Sequence, residues 1–227
     1  MAFRIEPALY ADMDTWCDIY IEAAASHPLS TLLYNDLSHE EKRKFEFGGP
    51  KEVFLKCPWI KYHKMVEVET GKIVAWSRWH FPRALNDEER REKRDPDYFP
   101  EIPKRANTAL FQEWFDKLAE VESKYSDREM AFVRHAPYGS QFINYLSVLP
   151  AYQRLGLGRR LLDIGLDEGD KLGASAFLVA TEMGAGLYRK AGFREIESFS
   201  IDLRPWGGEG ETVWRSMRRE QARRPSE

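Results

Sequence analysis

The feature that most constrains this 227-residue sequence is a glycine turn between two apolar segments. Residues 142–149 read as a strand that ends at Pro150, and Leu155 to Leu172 has the amphipathic spacing of a helix. A small apolar run, Ala174 to Ala180, follows and is typical of a buried strand. The order strand, turn, helix, strand predicts an α/β fold.

The turn itself reads Gln-Arg-Leu-Gly-Leu-Gly and has the composition of an anion site. The first turn of a helix carries free backbone N–H groups and the positive end of the helix dipole. Gly156 and Gly158 would let a phosphate reach that backbone without meeting a Cβ, and Arg154, Arg159 and Arg160 could add charge-assisted hydrogen bonds. A glycine pair alone also precedes many ordinary core helices.

The helix after the turn carries glycines that favour a site over a plain packing turn. Gly165 and Gly169 lie at helical spacing on the same face as Leu161 and Leu172. A helix with such a face can approach the sheet closely and direct its N-terminus at a strand end.

Other phosphate-binding motifs fit the turn less well. A Walker loop needs Gly-Lys-Ser or Gly-Lys-Thr, which the sequence lacks. A dinucleotide fingerprint needs a third glycine where the chain has Leu161, and an acidic residue at the end of the next strand. Because that strand ends near Glu182, the dinucleotide alternative is weakened and stays open.

The first 81 residues predict, in order, a short strand, two helices and a hairpin. The signals are alternation over residues 3–8, a helix capped by Asp12 or Asp14, a capping box formed by Ser38 and Glu41, and strands over residues 61–69 and 73–81 that reverse at Gly71.

Residues 82–130 predict a helical insertion between the third and fourth strands. A charged and proline-rich stretch comes first, and Asn107 then precedes an apolar stripe with a period near 3.6 residues. Trp114 and Phe115 of this stripe either line a pocket or cover the sheet, and core packing is favoured.

The end of the chain predicts a short helix over residues 187–190 and strands over residues 199–203 and 212–217. The expected fold is therefore a mixed, mostly antiparallel twisted sheet of about six or seven strands, flanked by helices. We expect a single domain over residues 1–227, with residues 218–227 as a flexible tail.

Composition restricts the class of partner. With 34 basic against 37 acidic side chains, the net charge of -3 gives no positive field that would collect nucleic acid or an anionic membrane. Two cysteines without CxxC spacing favour a reducing compartment and no metal site. Without a signal-like N-terminus or a long apolar run, the expected location is the cytoplasm, with the nucleus possible.

The motifs around the turn resemble those of the GNAT superfamily of N-acetyltransferases. Leu146, Val148 and Pro150, followed by Gln153, Gly156 and Gly158, resemble its acyl-CoA signature. A second landmark of the family, a tyrosine on a short helix followed by Gly-Phe, is matched by residues 186–193. The resemblance is sharp over residues 142–203 and absent over the insertion.

The resemblance implies an acetyl-CoA site and an N-acetyltransferase reaction. Two central strands would separate, with pantetheine inserted between them and paired with the backbone at Leu146 and Val148. The pyrophosphate would be held by the turn and the first residues of the helix, namely Gln153, Arg154, Leu155, Gly156, Leu157, Gly158 and Arg159. Partners would be acetyl-CoA and a primary amine, expected to be a small molecule, and the enzyme would be a monomer or a homodimer.

Direct attack of an amine on a thioester needs a base, an oxyanion donor and an acid. Tyr188 matches the family position whose hydroxyl protonates the departing sulfur. The base could be Glu182 or His80, or water could relay the proton. The alternatives are a protein or peptide N-acetyltransferase, and a regulatory protein that binds CoA or a nucleotide without catalysis.

Overall fold

The computed structural model describes residues 1–34, 36–47, 54, 57–81, 103–125 and 140–220. Within these ranges, no helix is long and apolar enough to cross a membrane. The predicted residues 82–102 and 126–130 of the insertion, and residues 221–227 of the predicted tail, lie outside the described residues.

Seven strands form one sheet in the order β1-β2-β3-β4-β5-β7-β6. Neighbouring strands are antiparallel except β4 and β5, which are parallel. This confirms the mixed, mostly antiparallel sheet. The strands are β1 (Phe3–Pro7), β2 (Ile60–Glu67), β3 (Ile73–His80), β4 (Ser140–Val148), β5 (Ser175–Thr181), β6 (Arg194–Asp202) and β7 (Glu211–Arg219). The last strand thus includes the first two residues of the predicted tail.

Among the described residues, six α-helices flank the sheet: α1 (Met13–Ala24), α2 (Pro28–Tyr34), α3 (His39–Phe47), α4 (Thr108–Tyr125), α5 (Leu157–Leu172) and α6 (Glu182–Lys190). The capping box is present, since the Ser38 N–H donates to Glu41 at 2.8 Å and the Glu41 N–H donates to Ser38 Oγ at 3.2 Å. Sequence analysis missed α2, which is only seven residues long and follows α1 after a three-residue turn. The predicted start of α6, residue 187, was five residues too late, since the helix begins at Glu182.

The helices divide between the two faces of the sheet. Trp79 of β3 packs beneath α5, whereas Trp76, three residues earlier and so on the opposite face, stacks on Trp16 of α1. Phe177 of β5 contacts Tyr125 of α4, while its strand neighbours pack with α5. Helices α5 and α6 therefore cover one face, and α1 and the insertion helix α4 cover the other.

The glycine face of α5 brings this helix close to the sheet, as the sequence predicted. A Cβ placed at Gly165 would lie 1.9 Å from Cε2 of Trp79, so only glycine fits there. Gly169 and Leu161 are also buried on this face. The prediction for Leu172 was wrong: the side chain is 57 % exposed, because Leu172 is the last residue of α5, just before the left-handed Gly173.

Asn107 caps the insertion helix through its side chain. Its Oδ1 accepts a hydrogen bond from the Leu110 N–H at 3.1 Å. Because one otherwise unsatisfied helix donor depends on this bond, we expect Asn107→Ala to lower the free energy of unfolding by about 1 kcal/mol. Urea denaturation measures the loss, and Asn107→Asp, which keeps an acceptor, should retain most of the stability. Equal stability of all three proteins would show that the cap contributes nothing.

Candidate active site

The central strands β4 and β5 separate after a short paired segment. Their last register pair is Phe142 with Phe177, yet β4 continues six residues further, to Val148, and β5 continues four, to Thr181. The sheet is thus closed at the start of these strands and open at their carboxyl ends. We call this opening the strand gap.

The backbone of β4 presents hydrogen-bonding groups to the strand gap. The Leu149 N–H donates to the Val74 carbonyl on the β3 side at 2.9 Å, and Val148 is paired in register with Ala75. Because antiparallel pairs alternate, the N–H and C=O groups of Val148 and Leu146 point away from β3 and into the gap. These are the two residues that the sequence predicted to pair with pantetheine.

The glycine turn lies at the open end of the gap and has an unusual backbone. Arg154 has φ of 64°, uncommon for a non-glycine residue, and Gly156 follows at 77°. Successive turns of this kind expose N–H groups in a concave arrangement that suits an anion. Gly156 is the N-cap of α5 and supplies no side-chain cap, so the first amides of the helix face an open site.

Two residues predicted to bind the pyrophosphate, Gln153 of the turn and Arg159 of α5, use their side chains for contacts within the protein. The Gln153 side-chain amide donates to the Val148 carbonyl at 3.1 Å, which fastens the turn to the end of β4. Arg159 pairs with Asp163 and donates to the Lys190 carbonyl at 2.9 Å, which links α5 to the end of α6. Arg154, Leu155 and Gly156 are exposed, whereas Leu157 is buried as the first core residue of α5.

Gly158 joins the predicted parts of the site. A Cβ at this position would lie 3.7 Å from Val148 of β4 and 3.5 Å from Leu187 of α6. The start of α5, the open end of β4 and the helix that carries Tyr188 therefore meet at one point. Three segments far apart in sequence form a single site.

Tyr188 is fixed by its own helix and by Phe193, which lies just before β6. Its ring packs edge-on against Phe193 with centroids 5.8 Å apart, and a Cβ at Gly184 would lie 3.3 Å from its Cε2 atom. Burial raises the pKa of the Tyr188 phenol well above its ordinary value. The hydroxyl is therefore protonated at neutral pH and can donate a hydrogen bond.

The two predicted bases occupy different places. Glu182 begins α6 at the open end of the gap, where its exposed carboxylate pairs with Arg215 at 3.2 Å. His80 is buried at the end of β3 and is in register with Phe142, so it lies at the closed end of the gap. The structure does not bring these two side chains together.

Comparison with known proteins agrees with this geometry. Residues 118–195 match the family described as Acetyltransferase (GNAT) domain. Over these residues the chain is similar to GNAT acetyltransferase domains. The match begins at Leu118, inside α4, so the family pattern extends into the segment where sequence analysis saw no resemblance.

A curated relative matches about a third of the chain. The chain is 33 % identical over 73 residues to the Ajellomyces capsulatus protein named "Probable acyltransferase SID5". That alignment covers 32 % of this chain, and the chain spans only 54 % of the length of that relative.

Solved structures share the GNAT fold along the chain. The histone acetyltransferase HPA2 and related acetyltransferase of Corynebacterium glutamicum has a TM-score of 0.62 at 17 % identity, covering 100 % of both chains. Mosquito arylalkylamine N-acetyltransferase like 5b has a TM-score of 0.58 at 15 % identity, covering 96 % of this chain and 100 % of that one. At such identities the likeness concerns the fold alone, and it disfavours the dinucleotide alternative, which needs a parallel sheet.

Two features of the candidate site escaped sequence analysis. Thr181 is the N-cap of α6, and its hydroxyl accepts from the Gly184 N–H at 3.3 Å. A threonine at the end of a buried strand is a recognisable helix-start signal, so this boundary could have been predicted. The left-handed conformation of Arg154 has no comparable signal, because no local rule places arginine at positive φ.

The tryptophans of β3 and of the insertion helix pack inside the protein. Trp76 and Trp79 are fully buried, on opposite faces of β3. Trp114 packs against Trp214 with ring centroids 5.7 Å apart, which agrees with the predicted packing role of the insertion helix. Cys17 and Cys57 are both buried thiols.

Proposed function

We propose that this protein transfers an acetyl group from acetyl-CoA to a primary amine, most simply that of a small molecule. The observation that carries the proposal is the strand gap, which opens beside the uncapped N-terminus of α5 and the α6 helix of Tyr188. A thioester arm placed in the gap would put its sulfur near these elements and its pyrophosphate at the glycine turn.

The donor would be held mainly by backbone groups. The amides from Arg154 to Arg159 would bind the pyrophosphate, aided by the positive end of the α5 dipole and by exposed arginine side chains. Pantetheine would pair with Val148 and Leu146 as an added strand, because both residues direct backbone groups away from β3 and toward the gap. Gln153 would act by holding the turn against β4.

The reaction would proceed by direct attack. The neutral amine nitrogen bonds to the thioester carbon, a β4 amide in the gap stabilises the oxyanion, and the C–S bond breaks to release the CoA thiolate. Tyr188 would donate a hydrogen bond to that sulfur. Because its pKa exceeds that of a thiol, Tyr188 stabilises the thiolate more readily than it surrenders its proton.

The names of structural neighbours guide the choice of amines for a test. One neighbour is called an arylalkylamine acetyltransferase and another a histone acetyltransferase. Purified protein with acetyl-CoA should therefore be offered 2-phenylethylamine, spermidine and a lysine-rich histone peptide, with thiol release and acetylated product measured together. Turnover of a free amine above the peptide supports the proposal. Acetyl-CoA binding without any acetylated product would instead favour a non-catalytic protein.

Tyr188→Phe should lower kcat by roughly 10- to 100-fold, the value of one charge-assisted hydrogen bond to the leaving thiolate. The ring packing on Phe193 is preserved, so the affinity for acetyl-CoA should stay within about twofold. Turnover assays measure kcat, and calorimetry measures the affinity for acetyl-CoA. Since burial raises the Tyr188 pKa, wild-type kcat should show no loss from this group up to about pH 10. An unchanged kcat would remove Tyr188 from the mechanism.

A further inference from the structure

Helix α1 and the turn after it cross over the strand gap. Trp16 of α1 stacks on Trp76 of β3 with ring centroids 5.7 Å apart. One turn later, Tyr20 packs edge-on against Tyr145 of β4 at 5.3 Å. After α1 ends, His27 lies 5.3 Å from the ring of Trp214 on β7.

The last of these contacts lies on the far side of the gap. Trp214 is in register with Thr181, the final residue of β5. The path from Tyr20 to His27 therefore begins over β4 and ends beside the end of β5. This bridging segment lies over the open end of the gap, on the face opposite α5 and α6.

An acceptor has to approach from this bridged face. The opposite face carries α5, whose N-terminus would hold the donor pyrophosphate, and α6. A donor that enters from that side turns its acetyl group toward the bridging segment. Groups on this segment are therefore placed to receive the proton of an attacking amine.

His27 provides the imidazole group of the bridging segment. It is half-buried in the turn between α1 and α2, and its main-chain carbonyl accepts from the Thr31 N–H at 3.1 Å, which fixes the residue at the start of α2. Burial lowers the pKa of the imidazole below its ordinary value, so the ring is neutral at pH 7.

We propose that His27 is the general base that accepts the proton of the acceptor amine, an inference that rests on the proposed acetyl transfer. The amine nitrogen bonds to the acetyl carbon as the C–S bond breaks. The amine proton passes to His27 and then to water, and the thiolate leaves with the Tyr188 hydrogen bond and takes a proton from solvent. The products are the acetylated amine and CoA.

The surroundings of His27 suit this role. The ring that faces it, Trp214, belongs to an aromatic group with Trp114 of α4 and Phe199 of β6. Arg215 follows Trp214 on β7, and its guanidinium is held by Glu195 and Glu182. Burial is the cause of the lowered pKa of His27.

The test compares His27→Gln with His39→Gln, a matched change at an exposed histidine of α3 that pairs with Asp18. The substrate is whichever of 2-phenylethylamine, spermidine and the histone peptide wild type acetylates fastest. His27→Gln should lower kcat/KM for the amine by roughly 100-fold, as expected for loss of a general base, with unchanged acetyl-CoA affinity. His39→Gln should behave like wild type.

The pH profile separates a base from a packing residue. A base acts only when neutral, so wild-type kcat/KM should fall as pH drops below the lowered His27 pKa, under 6.5, and His27→Gln should lack this limb. An NMR titration of wild type should show the His27 ring titrating below pH 6.5, even if the variant folds poorly.

Three results would overturn the inference. The first is an active His27→Gln enzyme with the wild-type pH profile, and the second is a His27 ring that titrates above pH 7. Either leaves the acetyl-transfer proposal intact. The third is a wild-type protein that binds acetyl-CoA and acetylates none of the three amines, which removes the proposed function and the inference together.

Discussion

Gly156→Glu should abolish acetyl-CoA binding. Gly156 precedes the first turn of α5 at φ of 77°, and no atom lies within 4 Å of a Cβ placed there, so the glutamate side chain enters the space proposed for the pyrophosphate. A carboxylate near two phosphate charges costs several kcal/mol at the effective dielectric of a protein surface. The expected result is at least a roughly 100-fold weaker affinity for acetyl-CoA, measured by calorimetry beside CoA and NAD.

The matched control is Gly71→Glu in the β2–β3 hairpin. Gly71 also has positive φ, 71°, and open space around its Cβ, but it lies in the hairpin between β2 and β3 and not at the N-terminus of α5. Both variants should lose about 1 kcal/mol of stability, because glutamate is strained at positive φ. Only Gly156→Glu should lose the ligand. If both variants bind acetyl-CoA like wild type, the pyrophosphate lies elsewhere.

The fold was predictable where the signals are local. The glycine turn, the amphipathic α5 and the apolar β5 follow one another in sequence, so their patterns predict the unit from residue 142 to residue 180 that the structure contains. The same holds for the hairpin at Gly71, where a turn residue separates two β-rich runs. Such helices, strands and turns can be predicted from the local sequence, because each depends on residues within a few positions of it.

The organisation of the site depended on contacts between distant segments. His27 gains its proposed role from Trp214, which is 187 positions away in the chain, and no pattern around His27 indicates that contact. Likewise, Arg159 resembled a phosphate ligand in sequence, yet its side chain binds Asp163 and the end of α6. Sequence spacing led to the proposed donor residues, whereas its two candidate bases, Glu182 and His80, lie at opposite ends of the strand gap.

Gly165 shows how the packing of α5 supports the site. The helix lies close enough to the sheet for a Cβ at Gly165 to overlap the Trp79 ring, with contacts of 1.9, 2.2 and 2.4 Å. Trp79 is fully buried beneath it, and the α5 N-terminus lies beside Val148 at the gap. This close approach sets the position of the glycine turn relative to β4.

Gly165→Ala should therefore be strongly destabilising. The Trp79 ring cannot move without displacing other core side chains, so the helix must lift from the sheet. Overpacking of this kind lowers the free energy of unfolding by about 3 kcal/mol. This loss is a large fraction of the total stability of a protein, which is about 5–15 kcal/mol. Urea denaturation should show a midpoint shifted to lower concentration, and the melting temperature should fall by roughly 6–12 °C.

Gly186→Ala is the control, because Gly186 lies in α6 with no atom within 4 Å of an added Cβ. There the same change should raise stability by roughly 0.5–1 kcal/mol, the gain from replacing glycine in a helix interior. Removing the ring should also relieve the clash, so Trp79→Leu combined with Gly165→Ala should cost less than the sum of the two single changes. Additive losses would mean that α5 does not rest on Trp79, and that the position of the glycine turn is set by other contacts.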